Sequence, residues 1–278
     1  MSESASSSVL LIGFRGSGKT TFLAAVWHLL EAQEIPSVLF APSLQSDREH
    51  LNSIRRDWLL LQPTTRTSLR DMQTVSLNVK DRDTGIEASI VIPDFSGEVF
   101  RMQWEEREVR PDFVKLAKQS SGAVLFIHPH QLRHGARIPP QNTSISQEVG
   151  EQDRIPWKAE FAPTQVQLVD ILQTYLMLAD NRPTRLAIVI SAWDLIIEDK
   201  ITPDSWATVR LPLLSQFIAA REGALMVKYF GVSAQGGELP GEKAKLQRAQ
   251  KPSERIRVTD DGKMHSDITT ILRWLMTG

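Results

Sequence analysis

The stretch Gly13-Phe14-Arg15-Gly16-Ser17-Gly18-Lys19-Thr20 decides the fold of this chain. It has the spacing G-x-x-x-x-G-K-[ST], which is typical of a phosphate-binding loop. The apolar run Val9-Leu10-Leu11-Ile12 precedes it and predicts a buried parallel strand. Residues 20–30 follow it with a pattern typical of a helix. The stretch therefore lies between a strand and a helix, which is the context that a phosphate-binding loop requires.

The residue types of this loop predict how it would bind a ligand. Its glycines let the backbone curl and approach the ligand closely. The amides of residues 15–20 then bind phosphate oxygens, helped by the positive end of the following helix. Lys19 adds a full charge at the β- and γ-phosphates, and the Thr20 hydroxyl is placed to coordinate Mg²⁺. The alternative is a glycine-rich turn that carries Lys-Thr by chance, which the flanking strand and helix disfavour.

The composition of the 278-residue chain predicts a soluble protein with a sizeable core. Apolar residues make up 41% of it, and its 32 basic and 33 acidic side chains are balanced, which disfavours sequence-independent binding to nucleic acid. The chain has no cysteine, which excludes disulfides and thiolate metal sites. No apolar run approaches the roughly 18 residues that span a bilayer. We therefore expect a cytoplasmic protein without a membrane span.

Strand-like and helical patterns alternate along the chain, which predicts a three-layer α/β fold with right-handed crossovers. Later strands are predicted at residues 74–80, 86–92, 122–127, 186–190 and 225–232. Helices are predicted at residues 19–33, 44–61, 98–119 with a break at Pro111, 164–179, 203–220 with a restart at Pro212, and 267–276. Together with the first strand, these elements predict a six-stranded, mostly parallel sheet. The hairpin over residues 74–92 adds its one antiparallel edge strand.

The domain organisation predicted from these patterns is simple. Residues 1–8 are serine-rich and lack a basic region, so we expect a disordered lead-in rather than a secretory signal. Residues 9–278 are predicted to form a single domain. Within it, residues 128–163 are irregular and contain five prolines, which predicts an insertion or a partner-binding loop. Residues 238–263 are polar and predicted to be looped.

A second candidate ligand segment, Asp94-Phe95-Ser96-Gly97, follows a predicted strand and matches D-x-x-G. The Asp94 carboxylate can hold Mg²⁺, usually through water, and the Gly97 amide can bind a γ-phosphate. D-x-x-G occurs often by chance, but its place after a strand and downstream of a phosphate-binding loop supports the functional interpretation. Ligands of open α/β sheets bind at the carboxyl ends of the strands, so a nucleotide is expected there.

At the segment Ser191-Ala192-Trp193-Asp194 the chain resembles the Ras-like, translation-factor class of P-loop GTPases, which carries N/T-K-x-D here. The resemblance implies a P-loop GTPase fold. It also implies that Asp194 accepts both N–H donors of the guanine Watson–Crick edge. Ser191 and Ala192 depart from the family pattern, and the missing Lys, whose stem covers the base, affects affinity more than base choice. The alternative is a strand-end Asp that starts a loop.

Two further positions follow from this resemblance. Gly231-Val232-Ser233-Ala234 resembles the S-A-K/L segment, whose backbone amide meets the guanine O6, although Gln235 replaces the usual Lys. The alternative is a plain turn of small residues. The family also needs a Thr that closes over Mg²⁺ and the γ-phosphate, before the antiparallel strand. Thr67 is the favoured residue, then Thr65, with Thr64 also available.

More narrowly, several segments look like those of bacterial double-GTPase proteins, which are predicted members of conflict and defence gene clusters. The segments are the phosphate-binding loop with Thr21, Asp94-Phe95-Ser96-Gly97-Glu98, Ser191-Ala192-Trp193-Asp194, Gly231-Val232-Ser233-Ala234-Gln235-Gly236-Gly237, and Asp267-Ile268-Thr269 before Trp274-Leu275-Met276. This resemblance implies protein partners from the same gene cluster. Many relatives dimerise across the nucleotide face, so a homodimer stays open.

Two residues near the expected γ-phosphate depart from the Ras-like pattern. Glu98 stands where those enzymes have a Gln that orients the attacking water. A carboxylate can accept a proton from water but repels the γ-phosphate, so we expect slow intrinsic hydrolysis unless Glu98 is held away or neutralised. Arg15 could act as a built-in arginine finger. The alternative is that it points to solvent or pairs with an acidic neighbour.

The histidines His128, His130 and His134 resemble a metal cluster at first sight. No matching carboxylates lie near them in the sequence, so we interpret them as part of a solvated loop.

The sequence thus predicts a Mg²⁺-dependent switch that binds and slowly hydrolyses GTP, as a regulatory subunit of a bacterial multi-protein system. Two alternatives stay open: a nucleotide-binding assembly subunit with little hydrolysis, and an ATPase on the same fold.

Overall fold

The structure is a computed structural model that describes residues 5–42, 49–62, 73–94, 97–135, 157–180, 182–196 and 201–276. The strands are β1 Ala5–Ile12, β2 Leu39–Phe40, β3 Gln73–Asp81, β4 Glu87–Asp94, β5 Ser120–Ile127, β6 Thr184–Ser191, β7 Leu225–Ser233, β8 Arg257–Asp260 and β9 Lys263–His265. The helices are α1 Lys19–Ala32, α2 Glu49–Leu59, α3 Gly97–Glu106, α4 Pro111–Gln119, α5 Thr164–Leu178, α6 Pro203–Arg210, α7 Pro212–Ala219, α8 Lys243–Leu246 and α9 Thr269–Met276.

The strands form one sheet in the order β2-β3-β4-β1-β5-β6-β7-β8-β9. The five central strands, β4-β1-β5-β6-β7, are parallel to one another, as predicted. In the described part of the chain the sheet has nine strands and not six, and it is antiparallel at both margins rather than at one edge strand. The prediction missed the short strands β2, β8 and β9. Two to four residues are too few to show a periodic pattern, and backbone pairing with a neighbouring strand, which leaves no pattern in the sequence, stabilises these strands.

The prediction that residues 238–263 are looped is wrong at Lys243–Leu246, which form α8. It is also wrong at its end, where β8 pairs with β7 and β9 pairs with β8. Val258 is buried, whereas its two neighbours in β8 are partly exposed, so a single apolar side chain anchors this strand. β1 also begins earlier than predicted, at Ala5 rather than Val9. Its serine-rich start pairs in parallel with residues 88–91 of β4, and such backbone pairing does not depend on apolar side chains.

The two proline breaks are confirmed. α3 ends at Glu106, and α4 restarts with Pro111 in its first turn. α6 ends at Arg210, and α7 restarts at Pro212. Proline lacks an N–H and is tolerated at a helix start, where that donor has no partner in the helix. The closing helix begins at Thr269 because the Asp267 carboxylate accepts hydrogen bonds from the Thr269 N–H and hydroxyl, at 2.9 and 2.6 Å.

The helices cover both faces of the sheet. One buried cluster joins α1, α2 and α9 to one face, and the other joins α3 to α7 to the opposite face. β1 shows the alternation, since Val9 and Leu11 lie in the first cluster and Leu10 and Ile12 in the second. The carboxyl ends of the five parallel strands meet at one edge of the sheet. None of the helices in the described ranges is both long and apolar enough to cross a bilayer.

Candidate functional site

The loop between β1 and α1 has the curled backbone that its sequence predicts. Gly13, Gly16 and Gly18 have φ of 152°, 75° and 94°, in the region that favours glycine. A Cβ at Gly13 would lie 2.7 Å from Ser17 Oγ and 2.9 Å from the Phe126 carbonyl oxygen. The loop therefore curls against the end of β5, and a side chain at Gly13 would push it away.

Lys19 lies inside this curl. Its side chain is only 6% exposed, and Nζ donates to the carbonyl oxygens of Gly13 at 2.7 Å and Phe14 at 3.0 Å. These partners are neutral, and hydrogen bonds between an ammonium group and an anionic oxygen are roughly twice as strong as neutral ones. A phosphate group that enters the loop can therefore compete for the ammonium group.

The first turn of α3 packs directly on the loop. Gly97 is buried, and a Cβ at this position would overlap the backbone of Phe14 and Arg15. Glycine is needed here because of this close approach rather than for an unusual φ. The structure therefore brings the end of the D-x-x-G segment to the phosphate-binding loop.

Glu98, the next residue of α3, lies between two guanidinium groups. Its carboxylate accepts from Arg101 Nε at 2.7 Å and from Arg15 at 3.2 Å. The hydrogen bond from Arg101, followed by that from Arg15, keeps the pKa of the Glu98 carboxyl below its usual value despite partial burial. Glu98 is thus ionised and neutralised by neighbours. Arg15, whose side chain is 59% exposed, forms an ion pair with Glu98. This is the alternative to an arginine finger that the sequence left open.

A cavity of about 410 Å³ extends from the loop along the ends of β5, β6 and β7. Its lining includes the predicted site residues Gly16, Gly18, Thr21, Asp194, Ser233 and Ala234. Asp194 lies in a 3-10 turn, residues 193–195, that follows β6. The buried Trp193 ring packs against β7 and anchors this turn, so that a Cβ at Gly231 would overlap the ring. Segments that are far apart in the chain therefore meet around one space.

The interpretation of His128, His130 and His134 as part of a solvated loop agrees with the exposure of His130 and His134 but needs correction for His128. His128 and His130 line this cavity, and His128 is partly buried. Burial lowers the pKa of His128, the charge of His130 lowers it further, and Asp194 and Glu238 act in the opposite direction. His134 is exposed. The missed signal was position, since His128 directly follows β5 just as the other ligand segments follow their strands.

The family model Double-GTPase 1 matches residues 10–275 of the chain. The protein belongs to the Double-GTPase 1 family. Its fold is similar to that of Roco2 RocCORdC from Methanosarcina barkeri bound to GDP (15% identity, TM-score 0.38, 87% of this chain and 48% of that one). It is also similar to the signal recognition particle receptor SRb-GTP/SRX complex from Chaetomium thermophilum (16% identity, TM-score 0.42, 86% of this chain and 95% of that one). The chain thus spans about half the length of the Roco2 structure, at 48%. No curated protein matches it in sequence.

Some predicted site residues of this Double-GTPase 1 protein lie outside the described residues, namely Thr64, Thr65 and Thr67. Asp94 is the last residue of β4. Thr20 lies in the first turn of α1 and is partly buried. Its hydroxyl and the Asp94 carboxylate are hard oxygen donors, which is the ligand type that Mg²⁺ prefers. The described part of the chain contains no group of three or more His, Asp or Glu residues placed to hold a metal by themselves.

Proposed function

We propose that this Double-GTPase 1 protein is a Mg²⁺-dependent molecular switch that binds and hydrolyses GTP. One observation carries the proposal: a single cavity joins Gly16 and Gly18 of the phosphate-binding loop to Asp194, Ser233 and Ala234. A nucleotide that lay along this cavity would have its phosphates in the loop and its base at the ends of β6 and β7. Membership of a GTPase family supports guanine as that base.

The loop would bind the triphosphate through the amides of residues 15–20 and through Lys19. Lys19 would exchange the carbonyl oxygens of Gly13 and Phe14 for phosphate oxygens. The Gly97 amide is the donor proposed for the γ-phosphate, since α3 begins against the loop. Binding of the γ-phosphate would therefore be linked to the position of α3.

Thr20, Asp94 and Thr67 are the residues proposed to hold Mg²⁺. The ion, when bound, neutralises charge on the β- and γ-phosphates. The rest of catalysis would come from positioning by the chain itself. Glu98 is neutralised by Arg15 and Arg101, so its charge would repel the γ-phosphate less than a free carboxylate would.

We further propose slow hydrolysis without a partner and a regulatory role in a bacterial conflict or defence system. The partners would be encoded in the same gene cluster, and residues 128–163 are proposed to take part in their binding. A homodimer across the nucleotide face belongs to the same proposal. This proposal rests on the resemblance of the sequence segments named above to those of bacterial double-GTPase proteins.

A second candidate function is an assembly subunit that binds nucleotide with little turnover. The two ion pairs of Glu98 favour it, because a carboxylate with a lowered pKa is a weak base. A multiple-turnover GTPase assay on the purified protein separates the two functions. Release of phosphate beyond one equivalent supports the switch.

Isothermal titration with GTP and with ATP, each with Mg²⁺, tests the proposed function. We expect GTP to bind at least about 100-fold more tightly, and Asp194→Asn to remove most of that preference, because an unpaired buried polar group is costly. The matched control is Asp261→Asn, an exposed residue of the β8–β9 turn, which should leave both affinities unchanged. Tighter binding of ATP than of GTP would refute the role of Asp194.

A further inference from the structure

The last turn of α2 is hydrogen-bonded to the segment proposed to bind the base. Trp58 is fully buried, and its indole Nε1 donates to the Ala234 carbonyl oxygen at 2.9 Å. The side-chain Nε2 of Gln235 donates back to the Trp58 carbonyl oxygen at 3.3 Å. A helix on one face of the sheet thus fixes both residues that follow Ser233.

Other contacts brace the same segment. The Gly236 N–H donates to the buried Ser233 hydroxyl at 3.1 Å, which closes a tight turn. A Cβ at Gly236 would lie 2.5 Å from the Arg255 carbonyl oxygen, and the Arg255 guanidinium group lies 4.3 Å from the centre of the Trp58 ring. The turn is therefore held between the cavity and a layer formed by Trp58 and Arg255.

The bond from Trp58 has a geometric consequence for the cavity. In a planar trans peptide, the carbonyl oxygen of one residue and the N–H of the next point in opposite directions. The Ala234 carbonyl points to Trp58, so the Gln235 N–H points away from Trp58. Ala234 and Gln235 line the cavity, whereas Trp58 does not, so this N–H is turned to the cavity side.

We propose that Trp58 is a positioning residue for recognition of the 6-oxo group of the base. It holds the Ala234–Gln235 peptide so that a main-chain donor meets O6 of a guanine. The same donor faces the 6-amino group of adenine, which is also a donor, so the peptide rejects adenine. This inference rests on the proposed function. Gln235 also has a role different from that of the Lys of the S-A-K segment, since the Gln235 side chain donates a hydrogen bond to α2.

The test is Trp58→Phe, which removes the indole donor and keeps an aromatic ring. Affinities are measured for GTP, for ITP, which keeps the 6-oxo group, and for 2-aminopurine riboside triphosphate, which lacks it. We expect a loss of roughly three- to tenfold for GTP and ITP, the range of one neutral hydrogen bond, and no loss for the 2-aminopurine nucleotide. An equal loss for all three nucleotides would make Trp58 merely structural and overturn the proposal.

The matched control is Trp27→Phe. Trp27 is also fully buried, on the facing helix α1, and its Nε1 donates to Asn52 Oδ1 at 3.0 Å, away from the base segment. The Trp27→Phe variant loses one indole hydrogen bond and should leave the three nucleotide affinities in their wild-type ratio. If Trp58→Phe does not fold, the isosteric benzothienylalanine at position 58, which replaces the N–H by sulfur, gives the same test.

Failure of the inference and failure of the proposed function give different results. A wild-type protein that does not prefer GTP over ATP contradicts the proposed function. A wild-type protein that prefers GTP, together with an unchanged Trp58→Phe variant, overturns only the role of Trp58.

Discussion

The neighbouring side chains of Glu98 change its chemistry. Its carboxylate, with a lowered pKa, is held by Arg101 and Arg15 on the first turn of α3, next to the phosphate-binding loop. From the sequence alone, the carboxylate was expected to repel a γ-phosphate. The guanidinium groups of Arg15 and Arg101 offset that negative charge and hold the carboxylate in one place.

We predict that Glu98→Gln lowers the single-turnover rate of GTP hydrolysis by about tenfold or more, because a neutral amide loses the ion pairs with Arg15 and Arg101 that hold this side chain in one place. Rapid-quench measurement of phosphate release with enzyme in excess gives this rate. The pKa of Glu98 is below its usual value, so the wild-type rate should not fall through protonation of this group above about pH 5. Equal rates for the two proteins would remove Glu98 from the mechanism.

Two further variants interpret that result. Glu105→Gln also removes a partner of Arg101, one turn along α3, and should keep the wild-type rate. Arg15→Ala tests the arginine finger, which is worth about 10³-fold or more where it operates. A rate near that of the wild type would exclude the finger and agree with the ion pair seen here.

At the scale of elements, the contact between α3 and the loop that precedes α1 bears on the proposed switch. The two elements meet backbone to backbone at Gly97, with no side chain between them. Phe100, one turn further along α3, places its ring centre 5.9 Å from Lys19 Nζ. A ligand that changes the position of Lys19 would therefore also change the contacts of α3.

We predict that Gly97→Ala separates binding from hydrolysis. The added methyl group overlaps the backbone of Phe14 and Arg15, so α3 must move away from the loop. GDP affinity should change less than about threefold, because GDP has no γ-phosphate to contact this amide. GTP hydrolysis should fall by about tenfold or more, since one missing transition-state donor costs at least that much.

Titration with GDP and single-turnover hydrolysis check this prediction. Gly241→Ala is the control, because a Cβ at Gly241 meets no atom within 4 Å. A loss of GDP affinity equal to the loss of hydrolysis would show that the substitution disrupts the whole loop.

At the scale of the whole molecule, a buried polar network joins α1, α2 and the turn before β8. His28 Nε2 lies 3.2 Å from the Glu34 carboxylate, and Arg55 Nε donates to His28 Nδ1 at 3.1 Å. Glu34 also accepts from the Ser253 N–H and hydroxyl, at 3.1 and 2.7 Å. The network thus connects helices on one face of the sheet to the turn that leads into the β8–β9 hairpin.

This network predicts a pH dependence of stability. Burial lowers the pKa of His28 below 6.5, against the opposing effect of Glu34. Below pH 6.5 the unfolded chain therefore binds a proton that the folded protein does not, and the free energy of unfolding falls as the pH is lowered. One such group contributes at most about 1.4 kcal/mol per pH unit. His128 adds to the same window, because its pKa is also lowered.

Denaturant unfolding between about pH 5.5 and 8 measures this effect. His28→Gln should reduce the slope and leave the part due to His128. The lowered pKa of Glu34 places its own contribution below about pH 4.5, outside the window. His134→Gln, at an exposed loop position, should keep the wild-type slope. If His28→Gln keeps the full slope, the buried histidine is not its source.

The sequence by itself determined the phosphate-binding loop, the parallel strands around it, the breaks at Pro111 and Pro212, and the Asp94, Asp194 and Ser233 segments at strand ends. These features depend on local spacing, on apolar periodicity and on proline's missing N–H, all of which can be read within about ten residues. Only the tertiary structure decided the β8–β9 hairpin and the place of His128 in the cavity. It alone showed the bond from Trp58 to Ala234, across 176 residues of chain. Such contacts depend on which groups the packed helices and strands bring together, and short-range sequence patterns do not predict them.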